Sequence, residues 1–265
     1  MSITGILIAA ACVGIVGIFV GLFLGVAGIK FKVEVDEKEE AVLAVLPGNN
    51  CGGCGFAGCS GLAAAIAKGE AAVNTCPVGG EEVGKKIAAI MGVEAGASER
   101  KVAYVHCQGD CDRTKTDYDY YGIKDCRMMS FVPGGGPKSC NSGCLGFGTC
   151  VQVCPFDAIH VENGVAVVDK EKCKACGKCV EVCPKHLISL RPYSNTVQVA
   201  CSSTDKGPVT MKACTTGCVG CGICVKNCQH DAVKVENFHA VIDPEKCVGC
   251  GACMEKCPKK CIVKA

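Results

Sequence analysis

Apolar positions fall in different rhythms along the chain. From Ile3 to Ile29 they are continuous, ITGILIAAACVGIVGIFVGLFLGVAGI, with no charged residue. Such a run exceeds the ~20 residues that a helix needs to cross a bilayer. It is too long, and lacks the charged start, for a cleaved signal peptide. Lys30 and Lys32 follow it and nothing basic precedes it, which predicts an outward amino terminus with the remainder in the cytoplasm. Gly17, Gly21 and Gly25 recur every fourth residue, either a face for packing on another helix or the ordinary glycine content of membrane helices. Beyond it, Asp36 is positioned to cap a helix over EKEEAVLAVL that Pro47-Gly48 ends. SGLAAAIAKGEAA and KKIAAIMGV predict two further helices, and EAGASER at 94–100 reads as a polar linker.

Strand rhythm enters later. Val102 to Val105 reads as a short strand, and AIHVENGVAVVD and AVKVENFHAVID each read as a β-hairpin turning at Glu-Asn. These hairpins belong to an internal repeat. The stretch SCNSGCLGFGTCVQVCPFDAIHVENGVAVVDKEKC from Ser139 aligns without gaps on ACTTGCVGCGICVKNCQHDAVKVENFHAVIDPEKC from Ala213, an offset of 74 residues. The predicted fold is α+β. A transmembrane helix spans 1–29, and 30–93 holds a connector and a small helical domain. Residues 94–138 are a linker with an additional cysteine segment. Two ferredoxin-like modules follow at 139–190 and 191–265, with a short helix expected after each cysteine run.

Cysteine changes this picture most. The chain of 265 residues holds 27 cysteines and no tryptophan, so bound metal must do part of the folding work. Disulfides would require an oxidising compartment, whereas the spacings fit metal thiolates. Cys218, Cys221, Cys224 and Cys228, and again Cys247, Cys250, Cys253 and Cys257, form C-x2-C-x2-C-x3-C runs. In two-cluster bacterial ferredoxins the fourth cysteine of such a run ligates the other cluster. That rule assigns Cys218, Cys221, Cys224 and Cys257 to one [4Fe-4S] cluster, and Cys228, Cys247, Cys250 and Cys253 to its neighbour. The tight turns within a run account for Gly220, Gly222, Gly249 and Gly251. Structural zinc prefers separate C-x2-C knuckles and suits the runs poorly. Cys51, Cys54, Cys59 and Cys76 form a self-contained set on the helical domain, for which zinc stays an alternative on spacing alone.

The first module is less complete. Cys154, Cys173, Cys176 and Cys179 make one cluster by the same crossover, but Phe147 stands where Cys221 stands in the second module. Two assignments remain open. Cys140 joins Cys144, Cys150 and Cys183, leaving Cys107, Cys111 and Cys126 for another cluster completed by Cys201 or Cys214. Alternatively, Cys140 closes the Cys107, Cys111 and Cys126 set and leaves Cys144, Cys150 and Cys183 one thiolate short. The count is five clusters, or six. Cys261 aligns with Leu187 and reads as a core residue, and Cys12 as a packing residue.

Charge adds little. The net charge of +2 leaves no nucleic-acid footprint. Residues 101–265 carry 21 basic and 16 acidic side chains, a surplus that could attract an acidic protein. Tyr118, Tyr120 and Tyr121 lie in a loop that is either a docking surface or ordinary loop packing. His160, His186, His230 and His239 sit in no ligand spacing. No G-x-G-x-x-G follows a predicted strand, and no Walker A or C-x-x-C-H motif occurs, so no nicotinamide, flavin or haem site is readable.

The apolar helix, CGGCGFAGC…CP, VHCQG, CNSGCLGFGTCVQVCPFDAI and a second ferredoxin module together cover nearly the whole chain. In this it resembles the B subunits of Rnf complexes, which are membrane-bound ion-translocating ferredoxin:NAD oxidoreductases. The resemblance implies a place at the bacterial cytoplasmic membrane, where the chain accepts electrons from soluble ferredoxin. It would relay them through [4Fe-4S] clusters towards a flavin- and NAD-binding subunit, while other subunits translocate Na+ or H+. The alternatives are a relay subunit of a membrane hydrogenase or dehydrogenase, and a non-redox metal-stabilised scaffold.

Overall fold

The computed structural model describes residues 3–30, 36–96 and 99–264, with side chains in the first helix at 4, 12–28 and 30. That helix, α1 (Ile3–Lys30), occupies the expected membrane span. Val13, Phe19, Leu22 and Phe23 point outward from it, and Gly17, Gly21 and Gly25 face open space. No helix among the described residues is long and apolar enough to cross a membrane. α1 covers the expected span, but the expectation that it crosses a membrane is not supported among the described residues. Lys32, on which the orientation also rests, lies outside them, as do residues 97–98 of the expected linker.

Three helices build the small domain: α2 (Glu37–Val45), α3 (Cys59–Ala67) and α4 (Gly80–Met91). Asp36 caps α2, accepting from the Lys38 amide at 2.9 Å, and Glu37, Glu39 and Glu40 complement the helix dipole in its first turn. The apolar sides of all three meet at Val42, Leu62, Ile66 and Ile87, with Cys76 among them. Gly92, left-handed at φ 70°, ends α4.

The rest of the chain contains, in order, β1 (Lys101–Val105), a 3-10 turn at Cys126–Phe131, α5 (Thr149–Gln152), β2 (Ile159–Glu162), β3 (Val165–Val168), α6 (Lys178–Val182) and β4 (Ile188–Pro192). Then come β5 (Val197–Val199), α7 (Gly207–Ala213), α8 (Ile223–Lys226), β6 (Val233–Glu236), β7 (His239–Ile242), α9 (Ala252–Glu255) and β8 (Ile262–Lys264). The strands form antiparallel pairs, β2 with β3 and β6 with β7 as hairpins, and β1 with β4 and β5 with β8 as long-range pairs. Registers repeat at the 74-residue offset, Ile159 opposite Val168 and Val233 opposite Ile242.

Two details differ from the sequence expectation. The hairpins turn one residue later, at Asn163-Gly164 and Asn237-Phe238, where both members of each pair have positive φ. A two-residue turn that matches strand twist needs two such residues. The short helices also sit inside the cysteine runs, ahead of the fourth cysteine, and a strand follows instead. One helical turn spans the C-x3-C spacing, and the chain must then extend to join the sheet.

β1 lies in the segment read as linker, yet it pairs with β4 from Lys101 opposite Pro192 to Val105 opposite Ile188. β5 pairs with β8 in the same manner, Val199 opposite Ile262. Each module is thus closed by a strand that precedes its cysteine motif. The two cores correspond: Val105, Ile159, Ala166, Leu187 and Ile188 in one, and Val199, Val233, Ala240, Cys261 and Ile262 in the other. Cys261, 2% exposed, occupies the core position of Leu187.

Candidate metal centre

Cys59 begins α3, and Cys54 and Cys59 pack against the core that holds Cys76. Asn50, itself at φ 45°, accepts from the Cys59 amide at 2.8 Å and satisfies the first turn of that helix. The Gly79 amide donates to Cys76 Sγ at 3.4 Å. Burial first, then repulsion from the Cys54 and Cys59 thiols, pushes the Cys76 thiol up, with the Gly79 and Val78 amides opposing.

In the second module the two cysteine runs come together around two cavities. Cys218, Cys221, Cys224 and Cys257 line one cavity of about 340 Å³, which Cys261 also touches. Cys228, Cys247, Cys250 and Cys253 line another of about 310 Å³. The Ala240 amide donates to Cys218 Sγ at 3.3 Å. A hydrogen bond from Cys261 draws the Cys218 thiol down, against burial. Gly220 lets the C-x2-C turn lie on the hairpin: a Cβ there would stand 2.8 Å from the Phe238 carbonyl oxygen.

In the first module Cys154, Cys173, Cys176 and Cys179 line a cavity of about 360 Å³. Ala103 of β1 donates to Cys173 Sγ at 3.3 Å. Burial, followed by repulsion from Cys173 and Cys176, pushes the Cys179 thiol up to about 12. Buried, mutually repelling thiols resist ionisation on their own, so cation binding is what would offset that cost, with release of protons.

The remaining cysteines settle into a partition that neither sequence assignment contained. Cys126, Cys144, Cys150 and Cys183 line a cavity of about 430 Å³. Thr149 brings Cys126 there: its buried hydroxyl accepts from the Cys126 amide at 2.8 Å and donates to Asp125 at 3.1 Å. Asp125 also caps the 3-10 turn through the Arg127 amide. Phe147 packs instead on Tyr120, ring centroids 5.9 Å apart. Cys140 turns away from this set and, with Cys107, Cys201 and Cys214, lines a cavity of about 340 Å³. Cys111 is exposed on the Asn163-Gly164 turn, its amide bound to the Asn163 carbonyl at 2.9 Å, and joins neither set. Cys12 is exposed on α1. Tyr118 and Tyr120 are tied within their loop to the Pro133 and Ile123 carbonyls, while Tyr121 is 92% exposed.

Cys201 and Cys214 thus belong among the candidate site residues. The sequence signal was the pair Val105-His106-Cys107 and Val199-Ala200-Cys201, each a strand end two residues before a cysteine. The segment between Cys107 and Cys140 is longer than its counterpart, so the ungapped repeat did not bring them into line.

In the two modules these donors are all thiols, at least four to a cavity, in apolar surroundings with amides aimed at sulfur, which suits a [4Fe-4S] cluster. Among the described residues no three metal-ligating side chains converge as a single metal ion would require.

Comparison with known proteins agrees. Residues 46–78 match an Fe-S cluster domain family. Residues 172–232 and 217–261 match the 4Fe-4S dicluster domain, and 136–194 the LdpA Fe-S cluster-binding domain. The chain is 48% identical to the B subunit of the Na(+)-translocating ferredoxin:NAD(+) oxidoreductase complex of Acetobacterium woodii, over 98% of this chain and 78% of that one. It is 43% identical to the B subunit of the ion-translocating oxidoreductase complex of Methanosarcina acetivorans, over 93% of each. To the B subunit of the proton-translocating ferredoxin:NAD(+) oxidoreductase complex of Clostridium ljungdahlii it is 42% identical, over 86% of this chain and 81% of that one.

Proposed function

This chain belongs to the family of B subunits of ion-translocating ferredoxin:NAD(+) oxidoreductase complexes, and from that premise we propose that it is the electron-relay subunit of such a complex. A [4Fe-4S] cluster, when bound, supplies a one-electron carrier whose potential the protein sets within about −700 to +450 mV. The chain's residues hold and tune such carriers: thiolates grip them, and amides such as those of Gly79, Ala103 and Ala240 direct hydrogen bonds at the sulfurs. Apolar side chains around them restrict water.

The observation that carries the relay reading is the adjacency of successive cysteine sets. The turn that carries Cys51 and Cys54 lies against Cys176, where a Cβ on Gly53 would stand 2.7 Å from the Cys176 carbonyl oxygen. α5, which carries Cys150, packs on α6, which carries Cys179. Sites that adjoin serve electron transfer; isolated structural sites would have no need to.

Soluble ferredoxin would donate the electrons, and a flavin- and NAD-binding subunit would receive them, coupled to Na+ or H+ movement through other subunits. The ferredoxin:NAD(+) oxidoreductase names of the relatives support this direction. The uncharged run Ile3–Ile29 supports anchoring by a single membrane helix, and Lys30 with Lys32 supports a cytoplasmic placement of the cysteine domains. Purification of the chain from detergent-solubilised membranes tests this reading. It should bring down flavin-bearing and nicotinamide-binding partners and support ferredoxin-dependent NAD+ reduction. Recovery with hydrogenase subunits instead would contradict it.

A further inference from the structure

The cavity lined by Cys107, Cys140, Cys201 and Cys214 lies outside both ferredoxin runs, and each module contributes two of its thiols. Cys107 stands two residues beyond the last residue of β1, and Cys201 two beyond the last of β5. Cys140 and Cys214 are partners at the 74-residue offset. The hydrogen bonds repeat as well. Cys107 Sγ accepts from the Cys144 amide at 3.3 Å, and Cys201 Sγ from the Cys218 amide at 3.2 Å. Cys144 and Cys218 are themselves partners in the repeat. The amides of His106 and Ala200, each just before its cysteine, donate to the Leu187 and Cys261 carbonyls, both at 2.7 Å. The cavity, about 340 Å³, equals the one at Cys218, Cys221, Cys224 and Cys257.

We propose that these four thiolates hold a sixth [4Fe-4S] cluster, built across the junction of the two modules by the same device used once from each side. A second observation points to negative charge there. Lys138 is buried at 8% exposure, and its ammonium donates to the Gly109 and Gly164 carbonyls at 2.8 and 2.7 Å. Among the described residues it forms no carboxylate pair. A buried cation held only by carbonyls is costly, and a thiolate-ligated cluster next to Cys107 offsets that cost. The Thr114 hydroxyl, also buried, donates to Cys214 Sγ at 3.7 Å.

The position matters for the relay reading, on which only this consequence rests. Through Cys144 the site adjoins the Cys126, Cys144, Cys150 and Cys183 set, and through Cys218 the first set of the second module. The sets then follow in one line, from the Cys51–Cys76 domain through the first module and the junction to the second module. Each electron that enters the junction is matched by one that leaves, and no bond is made or broken.

Iron and acid-labile sulfide counts on the full chain, purified without oxygen, test the site independently of activity. Six clusters give about 24 irons and 24 sulfides per chain, and five give about 20. Cys201→Ala should lower both by about four, and Cys111→Ala should leave both unchanged. A wild-type count near 20, with or without one zinc, overturns the proposal, and this holds even where Cys201→Ala fails to accumulate. An undiminished count in a folded Cys201→Ala overturns it equally.

Discussion

The backbone of Gly53 lies against that of Cys176, so close that a Cβ on Gly53 would stand 2.7 Å from the Cys176 carbonyl oxygen and 2.9 Å from its Cα. This contact seats the helical domain on the first module and brings the Cys51 and Cys176 thiols near each other. Backbone cannot yield as a side chain can, so Gly53→Ala should push the domain away at a cost of about 1–3 kcal/mol, typical of overpacking. Iron content should stay at the wild-type level while rapid-mixing traces show severalfold slower electron exchange between the domain and the modules. Unchanged rates would mean that the contact does not set the path.

Cys126 lines one cavity with Cys144, Cys150 and Cys183, the set for which the repeat supplies Phe147 in place of a fourth thiol. Cys126→Ala should remove about four irons per chain, whereas Cys126→Ala combined with Phe147→Cys should restore them, because position 147 matches Cys221 in the repeat. Iron analysis of both variants decides this. Failure of the double variant to regain iron, with the single variant depleted, would argue that the loop carrying Tyr120 has remodelled the position beyond rescue.

Thr149 acts on the same site without touching iron. Its hydroxyl joins Asp125 and the Cys126 amide, so Thr149→Val keeps the shape and removes both bonds. Losing a buried hydrogen-bond partner costs about 1–3 kcal/mol. The expected outcome is a cluster lost faster than the others under mild chelation, read from the decay of its electron paramagnetic resonance signal. Thr149→Ser should behave as wild type.

Much of this was legible in the sequence. The eight thiols of the runs at Cys218–Cys228 and Cys247–Cys257 have the spacing of two-cluster ferredoxins, whose crossover divides them into two sets of four. The repeat carried the same pairing to Cys154, Cys173, Cys176 and Cys179. What sequence left open was long-range. Whether Cys126 or Cys140 replaces the thiolate missing at Phe147 depends on Thr149, 23 residues from Cys126. The role of β1 depends on its pairing with β4, and no local pattern announces a strand that closes a sheet from so far away. Cys111 was grouped with Cys107 by nearness in sequence, yet the turn at Asp110 and the bond to Asn163 carry it to the surface.

Metal removal should be structural as well as functional. Cys150 and Cys173 lie in the first module's core, and Cys218, Cys224 and Cys253 in the second's, with few large aromatics to replace what clusters would contribute. Extraction of iron with a strong chelator should unfold the sheets of residues 101–264, as ligand loss does in small metal domains. The helical domain, with Val42, Leu62, Ile66 and Ile87 packed together, should retain more of its helix signal. Hydrogen exchange resolved along the chain would separate the two; sheets that stay protected after iron loss would contradict a core that depends on clusters.

The central claim is that this chain carries electrons on iron–sulfur clusters. A potentiometric titration of the purified chain, followed by quantitative electron paramagnetic resonance, tests it most directly. The account predicts reversible one-electron signals of reduced [4Fe-4S] clusters that grow in steps as the potential falls, together with magnetic interaction between neighbours. Zinc in place of iron, or spectra that stay silent on full reduction with dithionite, would contradict it.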